Sequence, residues 1–288
     1  MVGEDFTYGN YSLSDFDLIM IQPENEDTSG LNREIIKGST TIERYEANHY
    51  GAKYSEVFTP NFFVIKNPCN SDSDYLSDDE LRDVYSWLTY CKLPSSLFVE
   101  FEENSTKEFV GLFTEIVPYV VNGVNGLKLV FTCNSPFGYE DNSLVFNNNI
   151  SDYSKIFNCT SDENTYIYPI IRIKPAISGD SADYSIENQD EGKTMEFTLS
   201  SSYVEYVFDC KYKRIFAYDS NNNETTLSLS DVEMVVTEDT DFSNYVTNLC
   251  SMYWLRFSPG VNHLLINGNG EFNISCKSPI KVGGYPYD

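Results

Sequence analysis

Apolar residues recur along most of this chain at every second position, in short runs broken by Gly, Asn, Asp and Pro. That is the pattern of half-buried β-strands. Phe6 to Ile21 reads as a short strand, a Gly9-Asn10 turn and a second strand. Gln22 to Gly30 is acidic and polar, and Leu31 to Gly51 is long, charged and Tyr-containing, so an extended excursion is expected there rather than a compact hairpin. Strand character returns over Phe58–Lys66, and alternation predicts further strands at Leu97–Phe101, Phe109–Val117 and Gly126–Cys133. One stretch has a different period. Between Leu76 and Cys91, Ser77 and Glu80 have the spacing of a capping box, and Asp78 and Asp79 fill the electropositive first turn. Leu81, Val84, Tyr85 and Leu88 then form one apolar stripe, and Leu93-Pro94 ends the helix.

The second half shows no helical period. Tyr166–Ile173, Lys193–Leu199, Glu205–Asp209, Arg214–Tyr218, Tyr253–Phe257, Val261–Asn267 and Glu271–Ser275 read as strands, with a hairpin-type turn at Asp219–Asn223. Many short strands at regular spacing imply a sandwich or jelly roll. A chain of 288 residues accommodates two domains. The polar run Glu140 to Ser154 is the expected boundary, giving domains over 1–145 and 150–288.

Composition supports the β reading, because 22 Tyr and 19 Phe favour pleated surfaces. The charge excludes partners: 44 acidic against 19 basic residues give −25, a surface that repels phosphate backbones and anionic lipid. Neither stable nucleic-acid binding nor membrane insertion is expected. With no apolar run of spanning length and no basic, apolar leader pattern, synthesis in a cytoplasm without a cleaved signal is expected. Seven cysteines without CxxC spacing argue against a zinc site or a disulfide framework and fit free thiols.

Candidate chemistry is thin. The two histidines, His49 and His263, lie in no metal-ligand pattern, and His263 is expected on the face of its strand opposite Asn262, Leu264 and Ile266. No GxSxG, P-loop or GxGxxG occurs, and the acidic residues are too many for spacing to single out a glycosidase pair. The run Asp72, Asp74, Ser77, Asp78, Asp79 invites a calcium reading, but Ser77 stands where an EF-hand loop needs Gly, and Asp83 where it needs Glu. Helix capping accounts for it. No catalytic, cofactor or metal residue is expected, and the protein is read as a non-enzyme. In Tyr253–Phe257, alternation puts Tyr253, Leu255 and Phe257 in the core and leaves Trp254 with Arg256 on the opposite face. There they would serve a protein interface or stack on a sugar. A carbohydrate-binding adhesin module, using Trp254 with Tyr203, Tyr206, Tyr212 and Tyr218, is the alternative.

The order of these elements resembles a known family. A strand pair opening with Phe6 and Asp15-Phe16, a loop from Arg33 to Gly38, one capped helix containing Trp87-Leu88, and strands ending at Phe131–Pro136 with Tyr139 look like the N-terminal domain of bacteriophage distal tail proteins. Asn158, Thr165–Ile173 and Leu255–Leu264, with a Pro-Gly-x-Asn turn opening a late strand, are similar to that family's galectin-like sandwich. The resemblance implies a mainly β protein, with an N-terminal β-sandwich-like domain carrying one α-helix and a C-terminal galectin-like jelly roll. It implies a virion protein of the tail tip or baseplate, assembled in the bacterial host cytoplasm as a homo-oligomer, a hexameric ring. The implied partners are the tail tube protein, the tail hub or tail-associated protein and the receptor-binding protein, and no cofactor. Closing such a ring requires reach, and the basic residues of the first excursion would meet a neighbour's acidic surface. Arg33, Ile35, Lys37 and Arg44 are therefore the expected inter-subunit contacts, and Trp254 and Arg256 the expected partner or sugar contacts.

Overall fold

The computed structural model describes residues 3–21, 33–37, 49–54, 57–69, 75–101, 105–121, 124–233 and 253–281. It is mainly β with one α-helix, as the alternation requires, and divides into two compact units: residues 1–140 with 280–288, and residues 141–279.

In the first unit, β1 (Gly3–Tyr8) turns through Gly9, at φ 65°, into the short β2 (Tyr11–Ser12). A single 3-10 turn, Leu13–Phe16, then leads to β3 (Leu18–Ile21). The predicted second strand is thus interrupted, because Asp15 accepts a hydrogen bond from the Ser12 backbone N–H at 2.8 Å and Asp17 turns left-handed at φ 52°. Within the excursion, β4 (Arg33–Lys37) pairs antiparallel with β5 (His49–Tyr54) as a separate two-stranded ribbon. β6 (Asn61–Lys66), β7 (Ser95–Phe101), β8 (Ser105–Val121) and β9 (Val124–Cys133) complete the unit. One half of β8 joins the order β2-β1-β7-β8 and the other half the order β8-β9-β6-β3. Phe6, Tyr8, Leu97, Val99, Phe109, Leu127, Leu129 and Phe131 pack between these layers.

Helix α1 (Asp78–Thr89) starts where its cap requires: the Ser77 backbone N–H donates to Glu80 Oε2 at 2.7 Å, and the Glu80 N–H returns to Ser77 Oγ at 3.4 Å. Lys66 Nζ donates to Glu80 Oε1 at 2.6 Å. Val84 and Leu88 are buried as predicted, but the fourth member of the stripe is Trp87, while Tyr85 is only half-buried. Trp87 wins because its ring stacks on Phe16 at 4.6 Å and Phe6 at 5.7 Å, and its indole N–H donates to the Tyr8 carbonyl at 2.8 Å.

The second unit contains two antiparallel sheets. One runs β17 (Glu224–Leu227), β16 (Arg214–Tyr218), β15 (Glu205–Asp209), β12 (Ile170–Pro175), β19 (Gly270–Ile280) and β10 (Gly138–Asn148), and the other runs β11 (Tyr153–Cys159), β18 (Gly260–Asn267), β13 (Ser181–Asn188) and β14 (Lys193–Ser200). Inward residues of both interdigitate, among them Ile171, Ile173, Phe208 and Phe272 from the first and Phe157, Ile186, Phe197 and Leu264 from the second. The polar run Glu140 to Ser154 is therefore not an open linker. Most of it is strand, with Phe146 and Asn148 buried and Asp141, Ser143 and Asn147 turned outward. The Pro-Gly-x-Asn turn is held by Asn262, whose side chain accepts from Ser258 N–H at 3.0 Å and donates to Ser258 and Gly260 carbonyls at 2.8 and 3.1 Å, with Gly260 at φ 92°.

Leu88, 1% exposed, anchors the helix, so Leu88→Ala is expected to destabilise the first unit by roughly 2–5 kcal/mol, and the exposed Asp83→Ala by less than about 0.5 kcal/mol, in denaturant unfolding. Equal effects would refute the buried stripe. The Lys66 hydrogen bond, with those from Ser77, holds the Glu80 carboxyl down at about 2. Because the folded value lies below the unfolded one, its stabilisation is present above about pH 4.3 and is lost as pH falls towards 2. Glu80→Gln should lower stability at pH 7 and match the wild type near pH 2 in parallel melts, and a difference that persists undiminished at pH 2 would exclude this linkage.

Candidate interaction surfaces

The outer face of β3, β6, β9 and the second half of β8 is rich in apolar residues, with Glu115 and Lys128 among them. Leu18, Val64, Leu127, Leu129 and Ile116 turn to the core, so alternation puts Ile19, Ile21, Phe63, Ile65, Val130, Val117 and Tyr119 on the other side. Tyr119 lies 5.3 Å from the Phe63 ring and Lys128 Nζ 5.5 Å from it, while Val117 remains 39% exposed. Antiparallel sheets with one solvated face usually alternate apolar with polar. A second apolar face is what a subunit interface requires.

In the second unit, Tyr166, Tyr168 and Ile170 are exposed at alternate positions. Arg256 lies over the Tyr166 ring at 3.7 Å and donates from Nε to both Glu191 oxygens at 3.0 Å, and the Tyr253 hydroxyl donates to Glu191 Oε2 at 3.2 Å. Trp254 is a correction: it is 5% exposed and part of the core, with Leu255 and Phe257. Residues 253–256 are not a strand, so two-residue alternation does not govern them and neighbouring Trp254 and Leu255 are both buried. Of the aromatic residues considered for sugar stacking, Tyr206 is also buried, and its hydroxyl donates to the Ser200 carbonyl at 2.8 Å. Tyr212 is exposed, and Tyr203 and Tyr218 are half-buried.

Arg33, Ile35 and Lys37 lie on β4, in register with Tyr54, Ala52 and His49, and Arg44 lies outside the described residues. The two expected contact sets thus belong to different units. Sequence reasoning missed the Tyr166, Tyr168 and Glu191 surroundings of Arg256, since only the folded chain brings residues 166, 191 and 256 together. His263 is exposed as expected, with its backbone N–H on Asp190 Oδ2 at 2.7 Å and its ring Nδ1 3.1 Å from Oδ1. Among the described residues no group of three or more His, Cys, Asp or Glu could hold a metal ion, and no helix is long and apolar enough to cross a membrane. Asp72 and Asp74 lie outside the described residues.

Trp254→Ala should therefore destabilise the second unit by roughly 3–5 kcal/mol, and Arg256→Ala by only about 1–2 kcal/mol, in chemical unfolding. A negligible Trp254 effect would return that ring to the surface.

Residues 1–135 match the family described as a phage tail protein N-terminal domain. No curated protein matches the sequence. Among solved structures, the chain is similar to the Dit protein of phage SPP1, described as a paradigm of the hub adsorption apparatus in phages infecting Gram-positive bacteria. Identity is 12%, with a TM-score of 0.59 over 97% of this chain and 100% of that one. It is also similar to a chain of the phage P2 baseplate in its activated conformation with Ca, at 10% identity and a TM-score of 0.53 over 96% of this chain and 98% of that one. Residues 1–135 are thus similar to phage tail protein N-terminal domains, and the chain has the fold seen in the SPP1 Dit protein and in the P2 baseplate chain.

Proposed function

We propose that the protein forms a closed ring at the distal end of the tail tube, the first unit building the ring and the second serving as a platform for receptor-binding or other tip proteins. The observation that carries this reading is the second apolar face of the first unit, from Ile19 through Phe63 to Val117. A tube that passes DNA needs a closed cyclic end piece, in which one surface of a subunit meets a different surface of its neighbour. The apolar face suits one side of such a contact, and the β4–β5 ribbon, with Arg33, Ile35 and Lys37 in a chain of net charge −25, suits a reach onto an acidic neighbour. The resemblance implies a hexamer, and each interface would bury on the order of 1,000 Å². The tube protein and the tail hub would bound the ring, the site of action would be the virion, and the host cytoplasm the place of assembly. The protein would act through surfaces and not by catalysis. With Trp254 in the core, the adhesin alternative lacks its main sugar-stacking candidate.

The test is light scattering and imaging of purified protein and of tail tips. Rings are expected from the intact chain and their loss from Val117→Asp. A monomer at high concentration, together with tips lacking a ring of this protein, would sink the function. Rings that survive deletion of residues 32–50 would remove only the role of the ribbon.

A further inference from the structure

Two buried thiols of the second unit meet across its sheets. Cys159 ends β11, the edge strand of the smaller sheet, and Cys276 lies in β19 of the larger one. Sheets packed face to face stand about 10 Å apart, whereas a disulfide needs Cα atoms within roughly 4.4–6.8 Å. At this end the layers converge, because the Asp162 N–H donates to the Pro279 carbonyl at 3.0 Å. Both sulfurs reach one atom: Ser278 Oγ is 3.3 Å from Cys159 Sγ and 3.9 Å from Cys276 Sγ, and Asn142 Nδ2 donates to the same oxygen at 2.8 Å. Ser278 is fully buried, so the polar group is held between the thiols rather than in water.

We propose that Cys159 and Cys276 are a dithiol that closes into a disulfide joining the two sheets of the second unit when a small-molecule disulfide serves as oxidant. Cys159 is the attacking sulfur. Its hydrogen bond with Cys276 holds its pKa below the usual thiol range against the effect of burial, and the same bond with burial pushes the pKa of Cys276 up. The Cys159 thiolate attacks one sulfur of the oxidant, forming a mixed disulfide and expelling one thiolate. Cys276 then gives up its proton and attacks Cys159 Sγ, expelling the second thiolate. Two protein thiols lose two hydrogens, and one disulfide becomes two thiols. The end of an edge strand opens more readily than the middle of a sheet, which gives the oxidant its access. The timing of closure rests on the proposed function: the pair stays open in a reducing host cytoplasm and closes after release. The chemistry does not rest on it.

The experiment uses the full chain, purified with reductant and then dialysed against oxidised glutathione. It is denatured with alkylating reagent, digested and mapped by mass spectrometry. The expected result is a linked peptide pair containing Cys159 and Cys276, reversed by reductant, with the melting temperature of the oxidised protein raised by roughly 5 °C or more. Cys276→Ser should show neither the link nor the rise. Full alkylation of both residues, separate glutathione caps on them, or linkage of either to another cysteine would each overturn the proposal. The wild-type map decides this even if the variant fails to fold, and oligomer size measured on both redox forms reports the ring reading separately.

Discussion

Strand β8 is hydrogen-bonded to β7 from Ser105 to Gly111 and to β9 from Gly111 to Val121, and this sharing organises the first unit. At the crossing point a side chain is impossible, since a Cβ on Gly111 would overlap the Thr132 carbonyl oxygen. Just beyond it the register slips between Phe113 and Glu115. One extra residue in a strand reverses which side chains face inward. Before the slip, Phe109 and Phe113 enter the core; after it, Ile116 does, and Val117 and Tyr119 are turned outward. The part that β8 plays in the outer face, through Val117 and Tyr119, thus follows from a single irregularity, which lets one strand serve a core and a surface at once.

The second unit depends on filling the space between its sheets, and its buried polar residues Asn148, Asn188, Asn262 and Ser278 are each hydrogen-bonded. Asn188, wholly buried, donates to the Arg256 carbonyl at 2.9 Å, and Asn262 locks the Pro-Gly turn. Burying an amide without partners is costly, so these residues fix the path of the segment that carries Trp254 into the core. Arg256, just after it, is left at the rim against Glu191 and Tyr166. Gly268, at φ 115°, is required where the Tyr184 ring lies against its backbone.

Period and capping chemistry are local, and the sequence by itself determined what depends on them: the β character of both halves, the helix that starts at Ser77, the inward set of β18 and the Pro-Gly-Asn turn. It also determined the acidic surface and the absence of recognisable nucleophile or metal motifs. Strands with polar outward sides, such as β10 and β13, escaped it because alternation is weak where Asn faces inward, as Asn148 and Asn188 do, as well as out. Tertiary structure alone decided that Trp87, not Tyr85, fills the aisle between Phe6 and Phe16, that residues 253–256 leave strand geometry and bury Trp254, and that β4 and β5 pair. Each of these depends on a partner tens of residues away, and the free energy of such a contact resides in the pair and leaves no mark on the spacing of either segment.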